Sequence, residues 1–478
     1  YFDYDTRGNV VTETCPGYGT ISRTFDARDN QLTETNEVGV TTAWGYDSHD
    51  RRTSEEMTVN GNLVQRTWAY DVLGNMTAET DPLGNTVSST YDLRNLIQTR
   101  TEPGNGGSGF TTTFNYDVQG QLTKTCNPEG GCRTSKYDSH GRVTRGVDER
   151  KMPTIYAYDT AGRMTTSTST RAIAGGGVES LVTTYHYDAR GLQTQTDASD
   201  GSSTQVLYDG RGLMTGRIDQ LGRTTSYEYD SQGHRTLVRH PDQTTELTGY
   251  DAEGRMTSRT DPMGRMRTTG YDARGRMTSN TFDGASSTYG YDAAGRLTAT
   301  TDRRGFTTTQ LYDEAGRVTE TRTPEHATSP YPTRRTYYDD AGRMTGVRDA
   351  KNRLTTDAYD SQGRFTLTTY PDSTTESALY DSVGRVTSKT DRGGTEVQHG
   401  YDETGNLTSV TNVAASETWV YAYDEQGNLT TITDPNAHTR TFGFDERRRE
   451  VSRKFHIGPA QTRAYDERGN LTRRSMYD

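Results

Sequence analysis

Tyr250-Asp-Ala-Glu-Gly-Arg-Met-Thr-Ser-Arg-Thr-Asp-Pro-Met-Gly-Arg-Met-Arg-Thr-Thr-Gly270 is one period of a pattern that fills the chain. It holds two turn signals, Asp251-Ala-Glu-Gly254 and Asp261-Pro-Met-Gly264. Asp at the first position and Gly at the last suit a type I turn that leaves through a left-handed residue. Pro262 stands where its fixed φ is already correct. Between the turns lie runs of about six residues rich in Thr and Tyr, which favour strands, and no run has the period or length of a helix. The period therefore reads as two short antiparallel strands joined by tight turns.

The same period recurs along the sequence. A Tyr-Asp or Phe-Asp pair marks 22 anchors, from Tyr4 to Tyr465, and 15 of the 21 intervals between them are 21 residues long. A fixed period of this size means one supersecondary unit stacked many times. Four residues after the anchor, 18 of the 22 repeats carry Gly; the exceptions are Asp29, Asp50, Asn95 and Arg448. Asp and Asn are the residues that next best tolerate positive φ, so the position predicts backbone geometry, and Arg448 is the misfit. Seven residues after the anchor, 18 of 22 repeats carry Thr, usually behind an apolar residue such as Met256. The expected fold is all-β: tandem YD repeats of about 21 residues over 1–478, forming one long antiparallel ribbon. About 44 strands spaced by about 4.8 Å give a contour of roughly 210 Å, and a ribbon so long and narrow must twist and coil. Closed as a single ring it would have a radius of roughly 33 Å.

Only 29% of residues are hydrophobic and 25% are charged, values that alone lean toward disorder. The 31 Tyr and the held register argue for order, with little deep core. The net charge of −11 and the dispersed Lys and Arg give no basic block for nucleic acid, and no apolar span long enough to cross a membrane is present. The sequence starts and stops within the pattern, with Tyr477-Asp478 as an out-of-phase anchor, and reads as a segment of something longer.

The intervals starting at Tyr46, Tyr91, Tyr158, Tyr312 and Tyr401 are long. Their extra residues fall near the second turn, at Asn60–Asn62, Pro103–Gly109, Arg171–Ser180, Pro324–Thr333 and Val413–Thr418. Hairpin turns alternate between the rims of a ribbon, so one rim is expected to be uniform and the other decorated with loops, the first candidates for outside recognition.

Cys126 and Cys132 flank the turn Asn127-Pro-Glu-Gly-Gly131, where strand pairing in register would bring them opposite each other. They read either as a disulfide, suited to an oxidising compartment, or as two strand thiols, with Cys15 unpaired. No spacing suits a metal, no His-x-x-x-His or Gly-x-Ser-x-Gly occurs, and the nine His are scattered, with His49, His140 and His234 in or beside first turns. The sequons at Asn75, Asn406, Asn428 and Asn470 arise from the repeat itself, and the Gly-rich 103–109 stretch lacks the Gly-Lys-Ser/Thr of a phosphate loop. No cofactor is expected. The recurring Tyr reads as a packing ladder along the ribbon, and secondarily as the lining of a polar-aromatic lumen.

Tyr-Asp-x-x-Gly-Arg-x-Thr followed by Asp-Pro-x-Gly resembles the YD repeat of the Rhs, Tc-toxin and teneurin superfamily. Tyr250 to Arg276 carries the resemblance most closely, and in-register copies extend it from Tyr4 to Asp478. Gly162-Arg163, Gly295-Arg296 and Gly405-Asn406 look more bacterial than animal. The resemblance implies a ribbon spiralling into a hollow shell which, in bacterial members, encloses a C-terminal toxin polypeptide. It assigns structural roles to Tyr250, Asp251, Gly254, Arg255, Thr257, Asp261, Pro262 and Gly264, and no catalytic residue. No Asp-Pro-x-Gly-Leu-like cleavage motif is present; Asp261-Pro-Met-Gly-Arg and Asp81-Pro-Leu-Gly-Asn are repeat turns. The expected function is a non-enzymatic shell segment of a secreted or cell-surface protein. The alternatives are an extracellular adhesion or carbohydrate-binding scaffold, or a filament or surface-layer component.

Overall fold

The computed structural model describes all residues except 16–18, 105–108, 150, 174–176, 325–332, 425–426, 446–447, 466–470 and 478. The described residues hold 44 strands in one antiparallel sheet and no helix. Most strands have five to seven residues, as in Met256–Thr260 and Met266–Tyr271.

Among the described residues the first turn has one construction. In the repeat of Tyr250, the Gly254 amide donates to the Asp251 carbonyl at 3.0 Å, and the Asp251 amide donates to the Arg255 carbonyl at 3.0 Å. Gly254 has φ 78°. The replacements take the same left-handed conformation: Asp29 at 68°, Asp50 at 61°, Asn95 at 63° and Arg448 at 59°. The register slips by one residue just before each anchor; Gly249 pairs with Ser258, while Tyr250 pairs with Met256. The skipped residue is Thr257, so the recurring Thr is the extra residue of a β-bulge.

Two of the five long intervals depart from expectation. Around 60–62 the extra residues lengthen a hairpin, Arg52–Val59 against Asn62–Tyr70, closed by Asn60-Gly61 with φ of 50° and 82°. Around 171–180 they likewise extend the strands Met164–Ile173 and Gly177–Tyr187, which pair through Ile173↔Gly177. Ladder pairing satisfies the added backbone groups, which a loop would leave to water. The 103–109 and 324–333 insertions lie largely outside the described residues.

Hydrophobic burial is slight. Among the described residues only Val59 and Ala378 are buried apolar residues, and no large side chain is fully enclosed. A single-layer sheet this polar leans on its backbone ladder and on side-chain bonds to the backbone.

The chain divides into two compact units, each built from two distant segments. One comprises Tyr1–Thr111 with Met266–Ala378, the other Thr112–Arg265 with Leu379–Asp478. In the first, the Asn60 amide donates to Glu314 Oε2 at 3.1 Å, and Arg274 lies 3.8 Å from Glu37. In the second, Glu129 pairs with Arg385 and accepts a hydrogen bond from Ser382 Oγ at 3.0 Å. In every case a second turn of the earlier segment meets a first turn of the later one.

Candidate functional site

The recurring residues converge on a clamp at the described first turns. Asp251 Oδ1 accepts from the amides of Glu253 and Arg255 at 3.2 and 2.9 Å, and Oδ2 accepts from Arg255 Nε at 2.7 Å. Asp261 repeats this at the second turn, with Met263 N at 2.9 Å, Arg265 N at 3.0 Å and Arg265 Nε at 2.8 Å. Pro262 sits at the second position of that turn, and Gly264 leaves it at φ 78°. The Arg265 guanidinium and amide hold the Asp261 carboxyl below its ordinary range.

The anchor ring ties one repeat to the one before it. Tyr250 Oη donates to the Arg235 carbonyl at 3.1 Å, Tyr229 to that of Met214 at 2.8 Å and Tyr158 to that of Val143 at 2.8 Å. These rings are half-buried, and burial pushes the hydroxyls of Tyr312 and Tyr359 up. The bulge Thr closes the slip: Thr123, Thr236 and Thr430 each donate from Oγ1 to the carbonyl eight residues back, at 3.1 to 3.3 Å. Thr257 occupies the same position.

The sequence does not reveal what the Arg after the turn Gly does. Arg296 holds Asp292 Oδ2 at 2.7 Å, donates from Nη1 to the Asp313 carbonyl at 3.2 Å, and lies 4.8 Å over the Tyr312 ring. Arg317, Arg343 and Arg385 do the same to the next repeat. Where that position is Leu192 or Leu213, an Arg two residues earlier takes over: Arg190 donates to the Asp209 carbonyl at 2.7 Å, and Arg211 to that of Asp230 at 3.1 Å. The signal that could have found this link is the exchange of Arg between the two positions. His234 replaces the Arg in another repeat, bonding Asp230 and stacking 4.9 Å from Tyr250.

The other candidates resolve as parts of the same frame. The sequon amides of Asn75, Asn406 and Asn428 donate to Asp71, Asp402 and Asp424 at 2.8 to 2.9 Å; Asn470 lies outside the described residues. The amides of His49 and His140 donate to the turn carboxylates of Asp47 and Asp138. Arg448 keeps the left-handed turn with φ 59° and is exposed, lining a cleft with Arg133, Thr154 and Tyr156 of the same unit. Cys126 and Cys132 are direct cross-strand partners joined as a disulfide; the side chain of Cys15 lies outside the described residues. Among the described residues no group of three or more His, Cys, Asp or Glu could hold a metal ion, and no helix is long and apolar enough to cross a membrane.

A half-buried aromatic, a clamped turn and an interrepeat cation define a YD-repeat ribbon. The family model described as RHS Repeat matches residues 70–106, 137–174, 208–245, 250–288, 280–307, 291–328, 380–417, 414–439 and 423–454. These spans cover more than half of the sequence, and the chain belongs to the RHS repeat family. No curated protein sequence matches it. Among solved structures it is similar to TcdB2-TccC3, with a TM-score of 0.64 and 15% identity over 100% of this chain and 32% of that one. It is also similar to the Photorhabdus luminescens Tc holotoxin pore carrying TccC3-D651A, with a TM-score of 0.59 and 14% identity over 93% of this chain and 30% of that one. At such identity the likeness is one of fold, and the chain spans about a third of those chains.

Proposed function

We propose that this chain is a stretch of wall in a hollow β-sheet shell, and that the longer protein encloses a C-terminal toxin polypeptide within it. The observation that carries the reading is the meeting of second turns with first turns inside each unit, Asn60 on Glu314 and Glu129 on Arg385. Because turns alternate between rims, a ribbon that stacks on itself as a coil brings opposite rims together in this way.

The wall itself is non-enzymatic in this reading. Its recurring Asp, Arg, Tyr and Thr are committed to backbone and interrepeat bonds. A disulfide on the ribbon suits a secreted or cell-surface protein. The resemblance to Tc and Rhs proteins supplies the guest, and no site among the described residues argues for nucleic acid or a cofactor.

Electron microscopy of the purified segment tests the architecture. A curved hollow arc or cup is the expected result; a straight rod or an end-to-end polymer would overturn it in favour of an adhesive scaffold or a filament. Protease protection of a C-terminal polypeptide in the full-length protein tests the cargo.

A further inference from the structure

Some second turns along the ribbon are finished by side chains. The side chain four residues on holds the opening Asp Oδ2: Arg265 on Asp261 at 2.8 Å, Asn85 on Asp81 at 2.9 Å, Arg353 on Asp349 at 2.8 Å. Just outside, a pair of Thr hydroxyls bridges the two strands, as in Thr35–Thr41 at 2.7 Å and Thr80–Thr86 at 2.8 Å. The turn Asn127–Gly131 has neither device. Its fifth residue, Gly131, has no side chain to reach back, and the Thr pair is replaced by the Cys126–Cys132 disulfide.

This turn is pressed against the later segment of its unit. Gly131 is buried, and a Cβ there would come within 3.2 Å of the Glu403 carbonyl oxygen. The tip residue Glu129 accepts from Ser382 Oγ at 3.0 Å and pairs with Arg385. Arg385 is itself a repeat clamp, holding Asp381 at 2.5 Å and donating to the Asp402 carbonyl at 2.9 Å. With no side-chain clamp at Gly131, the disulfide is the cross-strand tie beside this hairpin end.

We propose that the Cys126–Cys132 disulfide is a redox-sensitive latch on this seam, keeping the Glu129 tip seated on Arg385 and Ser382 until a thiol reductant opens it. Both cysteines are half-buried, within reach of a small thiol. A reductant thiolate attacks one sulfur and the other leaves as a thiolate, which takes up a proton. The second thiol of the reductant resolves the mixed disulfide, so the protein gains two thiols and the reductant becomes the disulfide. The freed hairpin end gains conformations that seating must then remove, and the tip releases more often. The seam is held in an oxidising compartment and loosened in a reducing one. This inference does not depend on what, if anything, the ribbon encloses.

Hydrogen exchange of the intact chain, with and without a phosphine reductant, tests it. Reduction is expected to speed exchange of amides in 379–386 and 402–406 by roughly tenfold, while the equivalent turns of the other unit stay unchanged. The double variant Cys126→Thr, Cys132→Thr installs a hydroxyl pair like Thr35–Thr41 and Thr80–Thr86, and its exchange is expected to ignore the reductant. Glu129→Gln keeps the disulfide but removes the charge at the tip, and is expected to show fast seam exchange while still oxidised. Equal protection of 379–386 in the oxidised and reduced protein would overturn the latch, as would a reductant response that persists in the double Thr variant.

Discussion

The guanidinium of Arg317 lies 4.8 Å over the ring of Tyr338, the anchor of the following repeat. The same side chain holds Asp313 Oδ2 at 2.8 Å and donates to the Asp339 carbonyl at 2.8 Å. One cation therefore joins a turn carboxylate, an aromatic face and a backbone acceptor across two repeats. In a sheet with so little apolar burial, such joints carry the contacts between neighbouring repeats that a solenoid needs to be cooperative.

Arg317→Ala is expected to loosen its own joint strongly. The Asp313 side chain is only 1% exposed, and removal of its partner strands a buried carboxylate, at a local cost of about 3 kcal/mol. Arg304→Ala is the control, since that side chain is 77% exposed and its pair with Asp302 is worth at most about 0.5 kcal/mol. Hydrogen exchange across Thr307–Tyr338 reads the difference. Similar exchange in both variants would show that the joint is ornamental.

Gly249 and Ser258 form a size-matched pair at the bulge. A Cβ at Gly249 would stand 2.5 Å from Ser258 Oγ, whereas the one at Gly290 meets the smaller Ala299 at 3.4 Å. Gly249→Ala is expected to cost about 1–2 kcal/mol, and Ser258→Gly in the same chain to recover most of it. A double-mutant cycle by local hydrogen exchange measures the coupling; additive effects would refute the pairing.

Acid is expected to weaken the clamps in a defined window. The Asn9 side-chain amide and then its backbone N–H lower the Asp5 carboxyl from the ordinary 3.8 to about 2. The Arg142 amide lowers that of Asp138, against the opposing effect of burial, and the Arg163 amide does so for Asp159. Each folded value lies below the unfolded one, so the contribution is complete above the unfolded pKa and is lost as pH falls through the folded one. The urea midpoint should stay flat from neutral pH to about 4.5 and decline below that. A decline centred between about pH 6 and 7 would point to histidine instead.

Val59 is 5% exposed and lines a cleft with Ala315 and Ala341 of the same unit. Val59→Ala is expected to cost about 1–2 kcal/mol at that contact, while Leu63→Ala, at 64% exposure on the same hairpin, should cost about 0–0.5 kcal/mol. Exchange of the amides in 313–317 checks it. No change there would place Val59 outside the contact.

The sequence by itself determined whatever closes within about 21 residues. The spacing of Tyr250 and Tyr271 predicts one strand pair, and Asp251 with Gly254 predicts the turn and its positive φ, including the Asp and Asn substitutes. These are local consequences of backbone sterics and hydrogen-bond reach, so residue type alone is informative. The tertiary structure decided the rest. The reach of Arg296 to Asp313 needs the strand geometry that places one turn beside the next. The seats of Glu129 on Arg385 and of Asn60 on Glu314 depend on small twists summed over many strands. No single repeat encodes that sum. Glu129 and Glu314 therefore look, in sequence, like any other exposed turn residue.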